Sequence, residues 1–292
     1  MHTSLLCYNI QMELTSLKII KELFSKYEAR PLKRLGQNFL IDKNVLQKII
    51  NAADLNKNDI VLEIGPGIGA LTQELAKNTK KVIAIEKDKK MIEILKETLK
   101  DYKNAEVIYG DVLKILELEN YLKITKLKIK NYKVVANIPY YLTSPLIRKF
   151  LESKNPPQEI ILMVQKEVAQ RICSKPPDMN LLAVSVQFYA EPKIMNYVSK
   201  NCFWPAPKVD SAIIKIVPGR RTSQELFFKV VRAGFSQPRK QLVNNLTTLK
   251  SLNGVKLDKY KVADWLLKNN TNPNQRAETL SVSDWINLTQ NF

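Results

Sequence analysis

Histidine is all but missing from this sequence: His2 is the only one among 292 residues. Its absence elsewhere excludes a histidine general base and a histidine metal site. Cysteine is scarce as well. Cys7, Cys173 and Cys202 are scattered without CxxC spacing, which argues against a zinc site or a disulfide framework and points to reduced thiols in a cytosol. No apolar run approaches the ~20 residues of a membrane span. The N-terminus lacks the basic start and small-residue cleavage site of a secretory signal. Negative charge is also in deficit, with 46 Lys+Arg against 28 Asp+Glu and a formal net charge of +18. Such an excess predicts a polyanionic partner, nucleic acid or an anionic membrane surface.

What is present is an alternation of strand and helix patterns. Residues 13–30 read as an amphipathic helix with Leu17, Ile20, Leu23 and Phe24 at helical spacing. A basic loop, "PLKRLGQNFL", follows, then a helix after Asp42 with Val45, Leu46, Ile49, Ile50 and Ala53 on one face. Strand-like runs occupy 59–64, 81–87, 105–111, 132–137 and 159–165, with helical segments between most of them. This spacing implies βαβ units and a parallel sheet. Two later strands, Ala183–Phe188 and Ala212–Val217, are expected to close the sheet. The rest lacks clear strands and reads as helices broken at Pro238, Gly254 and Pro273. The predicted organisation is an N-terminal tail and helix (1–30), an α/β domain (31–217) and a small all-α domain (218–292).

"VLEIGPGIGAL" is a strand, a glycine loop and a helix start. Gly65, Gly67 and Gly69 permit a tight turn and close backbone approach by a ligand. Glu86 ends the next strand, where an acid can accept hydrogen bonds from both ribose hydroxyls of a nucleoside cofactor. Asp111 ends the third strand. Loop and acids fit S-adenosylmethionine, and Gly65, Gly67 and Ala70 fit a dinucleotide pattern, so NAD stays open on these residues alone.

The fourth strand runs into "NIPYY", whose "NIPY" (137–140) resembles the catalytic motif of adenine-N6 methyltransferases. The lone pair of the adenine amine N6 is delocalised, so acceptors aimed at its hydrogens favour the localised nitrogen of a methyl-transfer transition state. The Asn137 side-chain oxygen can supply one acceptor and the Ile138 carbonyl another. Pro139 stiffens the turn and biases Ile138 towards extended backbone. Tyr140 offers a face for an extruded base. No general base is required, since the cationic nitrogen formed by methylation loses its proton readily. Tyr141 gains no role from this logic and is expected to pack.

Together with "NIPY", the stretches "LGQNFLID" (35–42), "MVQKEVAQRI" (163–172), "FWPAPKVDS" (203–211), "FSQPRKQLVNNL" (235–246) and "QRAETLS" (275–281) resemble the small-subunit ribosomal RNA adenine dimethyltransferases, from about Pro31 to the C-terminus. The resemblance implies a Rossmann-like methyltransferase domain with a mostly parallel sheet and a small helical C-terminal domain that binds RNA. It implies S-adenosylmethionine as cofactor, held by Asn38, Leu40, Gly65, Gly67, Glu86, Asp111 and Asn137. Glu86 would take the ribose, Asp111 the cofactor's adenine amine and Gly65 its methionine end. The implied substrate is a pair of adjacent adenosines in the 3′-terminal hairpin of small-subunit rRNA, each dimethylated at N6 during small-subunit biogenesis. The implied partner is the small ribosomal subunit or its precursor, met by a cytoplasmic monomer without metal or membrane.

Phe203 matches the family's F-x-P-x-P phenylalanine, and the target adenine is expected between Tyr140 and Phe203. Lys33, Arg34, Arg148, Arg220, Arg221, Arg239 and Lys240 are candidates for phosphate contacts; residues 218–292 hold 12 Lys+Arg and 5 Asp+Glu. One departure is Met179-Asn180, where the family commonly has Tyr-Gly; Asn can still adopt a left-handed backbone. Erythromycin-resistance-type methyltransferases of large-subunit rRNA share the NIPY chemistry, and a non-catalytic assembly factor could share the fold.

Overall fold

The structure is a computed structural model that describes residues 12–117, 131–219 and 225–292. Helix α1 (Leu17–Lys26) is shorter than the periodicity suggests. Beyond it Glu28 takes φ 48°, outside the helical region. Its apolar stripe, Ile20, Leu23 and Phe24, is buried against Phe39, Met91 and Ile94. Strand β1 (Phe39–Leu40) leads to α2 (Lys43–Ala53), which Asp42 starts by accepting from the Asn44 and Val45 amides.

The α/β run then unfolds as β2 (Ile60–Ile64), α3 (Ala70–Asn78), β3 (Lys81–Glu86), α4 (Lys89–Thr98), β4 (Ala105–Tyr109) and α5 (Val112–Glu117). It continues with β5 (Tyr132–Asn137), α6 (Thr143–Leu151), β6 (Glu159–Gln165), α7 (Lys166–Ile172), α8 (Leu181–Gln187), β7 (Ala190–Val198), β8 (Phe203–Trp204) and β9 (Ser211–Pro218). Seven strands form one sheet in the order β4-β3-β2-β5-β6-β9-β7. The first five are parallel; β9 runs antiparallel to both β6 and β7. The strand order reverses between β2 and β5, so a crevice opens beyond their carboxyl ends, where open α/β sheets take ligands. The near-continuous apolar runs of β2, β3, β5 and β6 follow from burial on both faces.

Ala183–Phe188, expected as a strand, is helical instead, and the edge strand lies after it at β7. The Asn180 side chain accepts from the Ala183 amide and caps α8, whose Ala183, Val184 and Val186 turn inward. The cap and inward face outweigh the strand preference of the valines. Asn180 itself is extended, at φ −145°, not left-handed. Met179 is buried beside it.

The C-terminal segment comprises α9 (Glu225–Gly234), α10 (Leu242–Leu246), β10 (Ser251–Leu252), β11 (Val255–Lys256), α11 (Lys259–Lys268) and α12 (Val282–Gln290). The β10–β11 hairpin is an element the sequence reading did not include. It turns at Asn253 (φ 46°) and Gly254 (φ 80°), an Asn-Gly pair suited to that backbone. These helices share a core with the sheet. Phe188 stacks on Phe227 at 4.1 Å between centroids, and Trp285 is buried with Val230 and Leu246 in the same cluster.

Candidate active site at the carboxyl ends of β2 and β5

The glycine loop between β2 and α3 is shaped by backbone, not side chains. Gly65 and Gly67 have φ of 67° and 59°, and a β-carbon on Gly67 would stand 3.1 Å from Phe39 Cε1. Only glycine lets the loop lie this close to β1 with its backbone bordering the cavity. The Gly67 N–H reaches Glu86 Oε2 at 3.2 Å, while Glu86 Oε1 accepts from the Lys87 and Asp88 amides at 2.8 and 2.7 Å. Burial raises the Glu86 carboxyl above the ordinary range, against the pull of those three N–H groups. At the end of the next strand, Asp111 accepts from Lys87 Nζ at 2.7 Å and from the Leu113 amide at 3.0 Å. Desolvation pushes Asp111 up, but these donors prevail and its carboxyl lies below the usual value.

Across the crevice, β5 ends at Asn137. Its Nδ2 donates to the Asn38 carbonyl at 3.3 Å, which orients the amide and leaves Oδ1 and one N–H as its remaining hydrogen-bonding capacity. The Tyr140 hydroxyl shares a 2.8 Å hydrogen bond with Ser211 Oγ on β9, and burial raises the phenol above its ordinary value. With both ends held, the ring face is fixed. Phe203 arrives by pairing with Leu40 in the β1–β8 ribbon. It is buried, yet its side chain forms part of the cavity wall along with Tyr140.

One cavity therefore gathers Asn38, Leu40, Gly65, Gly67, Glu86 and Asp111 with Asn137, Ile138, Pro139, Tyr140 and Phe203. The basic candidates lie elsewhere. Lys33 and Arg34 are exposed on a short 3-10 turn (Lys33–Leu35), and Arg239 and Lys240 are exposed before α10. Arg148 pairs with Glu152 on its own helix at 2.9 Å. Arg220 and Arg221 lie outside the described residues. Tyr141, expected to pack, is instead 55% exposed at the cavity wall.

Three groups escaped the sequence reading. Ser211 anchors the Tyr140 hydroxyl. Lys87 bridges to Asp111. Glu63, in the middle of "VLEIG", is 1% exposed, lines the cavity and leaves Oε2 without a hydrogen-bond partner. Desolvation, reinforced by Glu86, pushes its carboxyl up to about 8, although the Thr72 hydroxyl opposes this. A charged residue inside an apolar strand next to a glycine loop was the available signal.

Among the described residues no group of three His, Cys, Asp or Glu is placed to hold a metal ion, and no helix is long and apolar enough to cross a membrane. The donor set suits a nucleoside: a glycine cradle, an acid at each of two strand ends and an orphaned buried carboxyl oxygen.

The family profile described as Ribosomal RNA adenine dimethylase matches residues 29–288. A "Ribosomal RNA small subunit methyltransferase A" from Alkaliphilus oremlandii is 42% identical over 286 residues, covering 96% of this chain and 98% of that protein. One from Dehalococcoides mccartyi is 44% identical over 273 residues, covering 92% and 90%. Among solved structures, a dimethyladenosine transferase from Plasmodium falciparum superposes with a TM-score of 0.71 at 31% identity, over 85% of this chain and 95% of that one. The 23S rRNA methyltransferase ErmE superposes at 0.68 with 24% identity, over 87% and 99%, a likeness of fold.

Proposed function

The chain belongs to the ribosomal RNA adenine dimethylase family, and from that premise we propose its reaction and the residues that perform it. It is an S-adenosylmethionine-dependent rRNA adenine N6-dimethyltransferase. Its substrate is the pair of adjacent adenosines in the 3′-terminal hairpin of small-subunit rRNA, and its product is N6,N6-dimethyladenosine. The observation that carries this reading is the placement of the Asn137–Tyr140 turn and the glycine loop on one cavity.

Bound there, S-adenosylmethionine supplies an electrophilic methyl group. Gly65 and Gly67 present backbone to it, Glu86 accepts from the ribose hydroxyls, Asp111 accepts from the adenine amine, and Asn38 and Leu40 close the opposite wall. Asn137, pinned by the Asn38 carbonyl, aims its oxygen at one N6 hydrogen of the target, and the Ile138 carbonyl takes the other. Pro139 holds that carbonyl in place at φ −55°. Both acceptors are already positioned, so they strengthen as positive charge grows on N6. Tyr140 and Phe203 sandwich the extruded base. The enzyme needs no histidine, because the methylated cationic nitrogen gives its proton to solvent.

Residues 31–217 form the methyltransferase domain, residues 1–30 an appended segment, and residues 218–292 a helical domain that meets RNA. Lys33, Arg34, Arg148, Arg220, Arg221, Arg239 and Lys240 serve phosphates. The partner is the small ribosomal subunit or its precursor, approached by a monomer in the cytoplasm, and the modification belongs to small-subunit biogenesis.

The test is transfer of a tritiated methyl group to purified small and large subunits that lack the modification, read at nucleotide resolution. Label on two adjacent adenosines near the 3′ end of small-subunit rRNA is expected. Label confined to the large subunit would overturn the reading in favour of the erythromycin-resistance type, and no label on either would favour a non-catalytic assembly factor.

A further inference from the structure

Tyr141 stands beside the catalytic turn but does none of its chemistry. Residues 140–142 form a 3-10 turn, in which successive side chains diverge by about 120°. Tyr140 is thereby half-buried against Ser211, and Tyr141 is directed to the rim, 55% exposed. Among the described residues no hydrogen bond or ring contact involves the Tyr141 side chain. The ring is nevertheless backed. A β-carbon on Gly36 would stand 3.8 Å from Tyr141 Cδ1 and 3.2 Å from Pro139 Cβ, and Gly36 sits at φ 63°. Absence of a side chain there lets the 36–37 backbone lie against Pro139 and the Tyr141 ring. Positive charge lies near it: Lys87 lines the same cavity wall, and Arg34 is exposed two residues before Gly36.

An aromatic ring braced on one side, open on the other and set beside cations has the makings of a nucleobase platform. Apolar surface of that size at the mouth of a site is otherwise unfavourable in water. A base can enter the cavity only by leaving its stack, and its neighbour on the strand loses a stacking partner when it does. The ring one residue along from the target's own platform is where that neighbour would find a replacement.

We propose that Tyr141 is a second stacking platform, which holds the nucleotide next to the target adenosine while Arg34 takes a nearby phosphate. The proposal rests on the reading of this cavity as an rRNA adenine methyltransferase site. It gives the two tyrosines different work: Tyr140 orients the reacting base, and Tyr141 selects for and retains its neighbour. For a substrate of two adjacent adenosines, the neighbour of each target is the other target.

The test compares Tyr141→Ala, Tyr141→Phe and wild type in steady-state methylation of unmethylated small subunits, with S-adenosylhomocysteine affinity measured by calorimetry on the same preparations. Stacking on an aromatic residue changes binding by about five- to a hundredfold. Tyr141→Ala should raise KM for subunits about tenfold, Tyr141→Phe should restore it to within about twofold, and S-adenosylhomocysteine affinity should be unchanged in both. An unchanged KM in Tyr141→Ala overturns the proposal. A loss of S-adenosylhomocysteine affinity that matches the loss of rate also overturns it, because the ring would then be capping the cofactor. A wild-type enzyme that leaves small subunits unmethylated refutes the parent reading and this one with it, and does so before any variant is compared.

Discussion

Replacing Glu63 with glutamine should stabilise the cofactor-free protein, and the gain should grow with pH. Glu63 is enclosed at the carboxyl end of β2, with Thr72 of α3 and Glu86 of β3 as the polar groups facing it. Among the described residues no lysine or arginine comes within ion-pairing distance. Burial therefore raises its carboxyl from 4.5 to about 8. Between those values the folded chain retains a proton that the unfolded chain has released. Stability consequently falls as pH rises through that window and levels off above about pH 8. The whole window corresponds to about 5 kcal/mol, and the portion between pH 6 and pH 9 to about 2–3 kcal/mol.

Glutamine keeps the shape and the approach to Thr72 but has no proton to lose. Glu86, also raised by burial, is present in both proteins, and most of its contribution cancels in their difference. Thermal unfolding of wild type and Glu63→Gln in matched buffers at pH 6, 7.5 and 9 should show the variant melting higher throughout. The gap should widen by about 5 °C across that range, at roughly 2 °C per kcal/mol for a chain of this size. A gap that is constant, or that shrinks towards pH 9, would show that Glu63 is not held neutral by burial.

Three further outcomes test the frame around the site. Lys133→Met should lower stability by about 3–5 kcal/mol, read as a shifted guanidinium midpoint; Lys133 Nζ lies 3.2 Å from Asp59, 3.7 Å from Glu159 and 2.8 Å from the Asp54 carbonyl, and an unmoved midpoint would mean solvent replaces it freely. Gly67→Ala should weaken S-adenosylhomocysteine binding at least tenfold in calorimetry, because the new methyl meets Phe39 at 3.1 Å in a left-handed backbone; full affinity would mean the loop has slack. Gly234→Ala should lower the melting temperature by several degrees, since its β-carbon would stand 2.3 Å from Trp285 Cη2 in a closed core at about 1–3 kcal/mol; a wild-type melting curve would mean α9 and α12 can part without loss.

The parallel strands were legible because a sheet covered on both faces leaves no room for alternation: β2, β3, β5 and β6 read as apolar runs punctuated by turn residues. The candidate site was legible because its residues sit where those runs stop. Asn137 and Glu86 each end a strand and Asp111 lies just beyond one, and the sheet order β4-β3-β2-β5 sets them along one crevice as Asp111, Glu86, Asn137. The stretch at 183–188 misled because three of its residues, Val184, Val186 and Phe188, favour strands taken singly. The deciding feature was the Asn180 cap, which acts through one backbone amide. The β10–β11 hairpin carried a local signal in Asn253-Gly254, but two-residue strands have no periodicity to detect. Ser211 and Tyr141 were hidden for a different reason, since hydroxyl-to-hydroxyl contact across 71 residues and exposure at a rim are properties of the assembled site. Glu63 belongs between these cases. A glutamate at the fourth position of "IVLEI" would face water in a half-buried strand. In a strand covered on both sides it has no such face, so once the parallel sheet is inferred, a buried carboxylate follows from the sequence itself. Only the glycine loop beside it supplies a reason to keep one there.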